Sequence, residues 1–142
     1  MVGGQWLDLE AEGRSLSLHE LTEVHRGKTG ALIRAACRLG GMAAQASPAQ
    51  LDALTAYGED VGLAFQIADD VLDATGTSEE LGKPAGRDVQ LSKSTYVALL
   101  GIEGARAEAQ RLAHRAVAHI DQAAIPSDAL GALAGYIVNR TS

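Results

Sequence analysis

Three aspartates, Asp69, Asp70 and Asp73, lie in the run Phe65-Gln66-Ile67-Ala68-Asp69-Asp70-Val71-Leu72-Asp73, where the other residues are mostly apolar. Asp69 and Asp73 are one helical turn apart and share a face. Like charges at that spacing repel by roughly 0.2–0.5 kcal/mol on an exposed helix, and burial raises the cost. Thr75-Gly76 reads as a helix stop, so the carboxylates also sit toward the negative end of the helix dipole, where anions are disfavoured. A cation resolves the conflict. An oxygen-only donor set suits Mg²⁺, which takes one or two carboxylates and completes its shell with water and phosphate oxygens. Gln66, Asp69, Asp70 and Asp73 form one polar stripe at i, i+3, i+4 and i+7. Val61, Leu63, Phe65, Ile67, Val71 and Leu72 make the rest of the helix apolar nearly all round, which predicts burial of the stripe.

Two further segments could meet an anion. Lys28-Thr29 stands between Gly27 and Gly30. It is not a P-loop, because the glycine required five residues before Gly27 is replaced by Thr22. On these residues alone, a surface lysine in a loosened helix is an equal reading. The second segment carries Lys83, Arg87 and Lys93 among Gly82, Pro84 and Gly86. Glycines let backbone N–H groups approach an anion and lysine adds point charge, although an ordinary basic loop looks the same. His19, His25, His114 and His119 show no metal-ligand spacing with carboxylates and are read as surface residues. Arg106 to Arg115, with Glu108, reads as a solvated helix face. Cys37 is read as a small buried hydrophobe, and no Ser-His-Asp nucleophile pattern is present.

The elements that must position these residues are legible from their caps. Ser17-Leu18-His19-Glu20 is a capping box with Leu16 and Leu21 at the staple positions. It predicts a helix from Leu18 to about Ala46, loosened at Gly40-Gly41. Ser47-Pro48-Ala49-Gln50 starts a second helix that runs to about Ala74 and carries the aspartates. Thr77-Ser78-Glu79-Glu80 begins a short element stopped by Gly82. A helix resumes near Ser92, hesitates at Gly101 and Gly104, and reaches about Ala123. After the Ile125-Pro126-Ser127 turn, a last helix spans Asp128 to Arg140, with Leu130, Leu133, Ala134, Ile137 and Val138 on one side. With no strand alternation and no repeat, the chain reads as one all-α helical bundle.

Composition narrows the function. The 142 residues fit one domain, and 46% of them are hydrophobic, enough for a core. The net charge of −6 argues against nucleic acid as a partner. No apolar run approaches the roughly 18 residues of a membrane span. The start turns acidic at Asp8 and Glu10, unlike a secretory signal. One cysteine cannot form an internal disulfide, which predicts a reducing, cytoplasmic setting. Met1 to Leu9 reads as the tail of a helix without a lead-in, and the expectation is a chain whose earlier part is absent.

Taken together, the motifs resemble the C-terminal half of a bacterial trans-isoprenyl diphosphate synthase, most closely of the farnesyl diphosphate synthase type. Gly4-Gln5 with Leu7-Asp8 is similar to the family's Gly-Gln-x-x-Asp segment, and His25-Arg26-x-Lys28-Thr29-Gly30-Ala31-Leu32 to its Lys-Thr helix. Phe65 to Asp73 resembles its second Asp-rich motif. Leu81-Gly82-Lys83 and Gly86-x-Asp88-x-x-x-x-Lys93-Ser94-Thr95-Tyr96 resemble its lysine-bearing loop, with Arg87 in place of a small residue.

The resemblance implies the all-α isoprenoid synthase fold, a homodimeric parent and Mg²⁺-dependent condensation of an allylic diphosphate with isopentenyl diphosphate. The product would be farnesyl or geranylgeranyl diphosphate. It implies metal ligation by Asp69, with Asp73 assisting and Asp70 acting through water or a hydrogen bond. Lys28, Lys83 and Lys93 would bind diphosphate. The Lys28 backbone, Thr29 and Gln66 would stabilise the allylic cation. The family's first Asp-rich motif and its isopentenyl diphosphate cluster have no match here. The expectation is therefore an N-terminal half supplied elsewhere and an isolated chain that binds metal poorly and shows no turnover. A terpene cyclase-like enzyme and a non-catalytic helical fragment are the competing readings.

Overall fold

The computed structural model describes residues 2–11, 13–76 and 94–140, and every regular element among them is helical. The Thr77-Ser78-Glu79-Glu80 element, the loop after it, and with them Lys83, Arg87 and Lys93, lie outside the described residues. Helix α1 spans Val2–Glu10 and α2 spans Leu18–His25. A wide π turn, Arg26–Gly30, joins α2 to α3, Ala31–Ala43. Then come α4, Pro48–Thr75, α5, Tyr96–Gln122, and α6, Asp128–Asn139.

Local chemistry sets the helix starts. The Ser17 backbone N–H donates to Glu20 Oε2 at 2.8 Å, and the Glu20 N–H donates to Ser17 Oγ at 3.3 Å. Ser47 and Gln50 repeat the reciprocal pair at 3.0 and 3.3 Å, with Pro48 in the first turn. Both boxes stand where the sequence places them. Thr95 caps α5 by accepting the Ala98 N–H at 3.1 Å.

Helix α4 is the hub, packed along α5 on one side and α3 on the other. Leu63, Ala64, Ile67 and Val71 of α4 join Leu21, Val24, Tyr96 and Leu112 in one core. Nearer its start, Leu54, Tyr57 and Val61 pack with Ala116, Ile120 and Ile137 in a second. Tyr57 is fully buried, and its hydroxyl donates to the Leu130 carbonyl at 2.9 Å.

Several expectations fail here. The single helix from Leu18 to Ala46 is broken at Arg26–Gly30, where Lys28 leaves helical geometry (φ −87°, ψ −115°), while Gly40-Gly41 stays helical. Close backbone approach accompanies the break. A Cβ on Gly62 of α4 would sit 2.7 Å from the Gly30 Cα, and one on Gly4 of α1 would overlap the Gly27 backbone. Gly41 instead admits the Leu51 and Leu54 side chains. On α6, Leu133 is exposed, and the buried face is Ala134 with Ile137. In α5 the chain kinks at Gly101 (φ +72°), a left-handed value open to glycine, and passes Gly104 without a break. Among the described residues no helix is long and apolar enough to cross a membrane.

Candidate functional site

The polar stripe of α4 is buried as its apolar surroundings predict, with one exception. Gln66, Asp70 and Asp73 are buried, whereas the Asp69 side chain is half exposed. The stripe lies in the last turns of α4, so each carboxylate opposes the helix dipole. Partners offset that conflict. Oδ2 of Asp70 accepts the Tyr96 backbone N–H at 2.8 Å and lies 3.5 Å from His25 Nε2. Oδ1 of Asp69 is 3.6 Å from a guanidinium nitrogen of Arg140, which lies 4.3 Å above the Phe65 ring. Asp73 is engaged as well.

The Lys28-Thr29 segment occupies the π turn. A ψ of −115° at Lys28 rotates its peptide out of the α-helical ladder, and such bulges are frequent at functional sites. Gly30, at the end of this break, packs against Gly62 of α4. Gly62, Gln66, Asp69, Asp70 and Asp73 follow one another at i, i+4, i+7, i+8 and i+11 and share a face of α4. The break is therefore docked on the face that carries the acidic stripe. Lys28 and Thr29, 40 to 45 residues upstream of the aspartates by sequence number, directly precede Gly30, which meets α4 at Gly62.

Several assignments change. His25, read as a surface residue, is buried and stacks on Tyr96 with ring centroids 5.7 Å apart. His119 is half-buried, 3.4 Å from the buried carboxylate of Asp60. Arg115, on the solvated face the sequence predicts, stays exposed and also holds that carboxylate in two bonds of 2.6 and 2.5 Å. The Asp60 hydrogen bonds hold the Arg115 guanidinium above its ordinary value. His19 and His114 are exposed. Cys37 is half-buried, and burial pushes its thiol up.

Sequence reasoning missed Tyr96, Thr22 and Arg140. Burial pushes the Tyr96 phenol up, against a lowering hydrogen bond with Thr22. Tyr96 and His25 both stand inside segments singled out by motif, but no spacing rule marks either as a partner of Asp70.

Asp69 and Asp73, one turn apart on an oxygen-only face, suit a hard divalent cation. Among the described residues no three His, Cys, Asp or Glu side chains group so as to hold a metal ion.

The family model described as Polyprenyl synthetase matches residues 1–127. The farnesyl diphosphate synthase of Escherichia coli (strain K12) is 49% identical over 144 residues, covering 99% of this chain and 48% of the relative. The geranylgeranyl diphosphate synthase of Cyanophora paradoxa is 41% identical over 146 residues, covering 100% of this chain and 48% of the relative. The structure of geranylgeranyl pyrophosphate synthase from Corynebacterium glutamicum, complexed with isoprenyl diphosphate and magnesium, superposes with a TM-score of 0.89. It is 29% identical and covers 98% of this chain and 52% of that one. The chain thus spans about half the length of the curated relatives it matches.

Proposed function

The chain belongs to the polyprenyl synthetase family, and from that premise we propose that it is the C-terminal, diphosphate-ionising half of a prenyltransferase. The reaction is condensation of an allylic diphosphate with isopentenyl diphosphate to give farnesyl or geranylgeranyl diphosphate. Residues outside these 142 complete the site, and the parent is a homodimer. One observation carries the reading: the Lys28-Thr29 break is docked, through Gly62 on Gly30, against the carboxylate face of α4.

The chemistry asks for opposite fields a few ångströms apart. Breaking the allylic C–O bond leaves negative charge on diphosphate and positive charge on carbon. Asp69 and Asp73 would hold Mg²⁺, which supplies Lewis-acid stabilisation of the departing diphosphate when bound. Lys28, Lys83 and Lys93 add ammonium charge at the same group. The Lys28 carbonyl, the Thr29 hydroxyl and the Gln66 amide offer dipoles to the carbocation. The unpaired Cys37 supports a cytoplasmic setting.

Calorimetric titration of the 142-residue chain with inorganic pyrophosphate tests the reading. Affinity is expected to require Mg²⁺ and to be lost in Asp69→Ala, with far-ultraviolet dichroism showing that the variant folds. Pyrophosphate binding indifferent to Mg²⁺ would overturn the assignment. Incubation of the chain alone with allylic diphosphate and labelled isopentenyl diphosphate tests the half-site. No condensation is expected, and robust turnover would refute the division of the site between two halves.

A further inference from the structure

His25 is buried, yet among the described residues neither ring nitrogen has a hydrogen-bond partner. A buried imidazole with both nitrogens idle is costly, and a leucine at this position of α2 would avoid that cost. The nearest acceptor is Oδ2 of Asp70, 3.5 Å from Nε2, just beyond a good N–H···O length. That same oxygen accepts the Tyr96 N–H at 2.8 Å. The Tyr96 ring lies over the imidazole at an interplanar angle of 19°. Its hydroxyl is 2.6 Å from Thr22 Oγ1. Thr22 already donates to the Leu18 carbonyl at 2.7 Å, so Tyr96 is the donor. Helices α2, α4 and α5 therefore converge on one carboxylate oxygen, and His25 immediately precedes the turn that carries Lys28 and Thr29.

We propose, resting on the diphosphate reading above, that Asp70 is an anchor rather than a cation ligand, and that His25 is a positioning residue acting through it. The anchor holds two things in register with Asp69 and Asp73. One is the Lys28-Thr29 break, reached through His25. The other is the first turn of α5, reached through the Tyr96 N–H. Asp70 is suited to this work and poorly suited to ligation, because its Oδ2 already faces two ring-bearing partners in a buried place. Asp69 remains half open on the same stripe.

Two readouts on the 142-residue chain decide it: hydrogen exchange at the Tyr96 amide, and Mg²⁺-dependent affinity for inorganic pyrophosphate. Asp70→Asn keeps a carbonyl to accept the Tyr96 N–H. It is expected to preserve amide protection and to stay within about threefold of the parent affinity, whereas Asp70→Ala loses protection and about tenfold in affinity or more. His25→Phe keeps the stack on Tyr96 and the amide protection but loses about tenfold in affinity, and His25→Gln recovers part of that loss. Far-ultraviolet dichroism separates these effects from misfolding, and His25→Gln stands in should the phenylalanine variant fail to fold.

Asp70→Asn falling as far as Asp69→Ala would make Asp70 a ligand and overturn the proposal. So would parent-like affinity in both folded His25 variants. Should the parent chain show no Mg²⁺-dependent binding, the diphosphate reading falls. Exchange at Tyr96 then still decides the anchor, and loss of protection in Asp70→Asn refutes it.

Discussion

Asp60 and Arg115 form an ion pair with unequal burial, and that inequality predicts which partner matters more. The Asp60 side chain is 6% exposed and that of Arg115 is 43% exposed. Replacing Arg115 with alanine leaves a buried carboxylate with the His119 ring 3.4 Å away and the Arg111 guanidinium within electrostatic reach. Breaking a fully buried pair costs roughly 3–5 kcal/mol. Water already reaches Arg115, so about 2–4 kcal/mol is expected here. Replacing Asp60 instead frees a guanidinium that can turn into solvent. That variant loses two charge-assisted hydrogen bonds but also removes the carboxylate's desolvation cost, for a net loss of about 1–2 kcal/mol. The Asp60→Ala/Arg115→Ala double variant should match Asp60→Ala, so adding the second substitution to Arg115→Ala restores about 1 kcal/mol. Urea unfolding followed by far-ultraviolet dichroism measures all four proteins. The single tryptophan, Trp6, is 63% exposed and is a poor reporter. A double variant less stable than Arg115→Ala would refute the argument from unequal burial.

Other expectations concern the hub helix. Gly62→Ala would place a methyl 2.7 Å from the Gly30 backbone. Overpacking of about 1–3 kcal/mol should outweigh alanine's helix preference, lowering the melting temperature and weakening pyrophosphate binding together. Burial pushes the Tyr57 phenol up to about 12. The folded chain therefore keeps a proton that the unfolded chain releases near its ordinary value of about 10. Stability from this group is full below about pH 10 and is lost between there and about pH 12, by an amount on the order of 2 kcal/mol. Alkaline denaturation read by the tyrosinate absorbance band should show the loss, and Tyr57→Phe should flatten it. Ser47→Ala removes the α4 cap and should cost about 1 kcal/mol in urea unfolding.

Helix identity and helix starts were written locally in this chain. A capping box is a contact between residues three apart, so Ser17-Glu20 and Ser47-Gln50 could be read without knowing what packs against them. The acidic stripe on α4 was legible for the same reason: its spacing is a property of one helix, and its apolar flanks announced burial. The Lys28-Thr29 segment was visible as a motif, but its bulge was not.

Which faces meet was settled only by packing. Nothing local says that Gly62 approaches Gly30, or that the helix breaks at Lys28 while Gly40-Gly41 stays helical. Nothing near residue 70 says that its carboxylate receives the N–H of a residue 26 positions away. Nor does it say that Arg140 arrives beside Asp69 from the far end of the chain. His25 and Leu133 were misplaced for the same reason. A histidine is buried or exposed, and a leucine core or surface, according to how its helix is rotated against neighbours distant in sequence. That rotation minimises the energy of the whole assembly of helices, and periodicity within one helix carries no record of it.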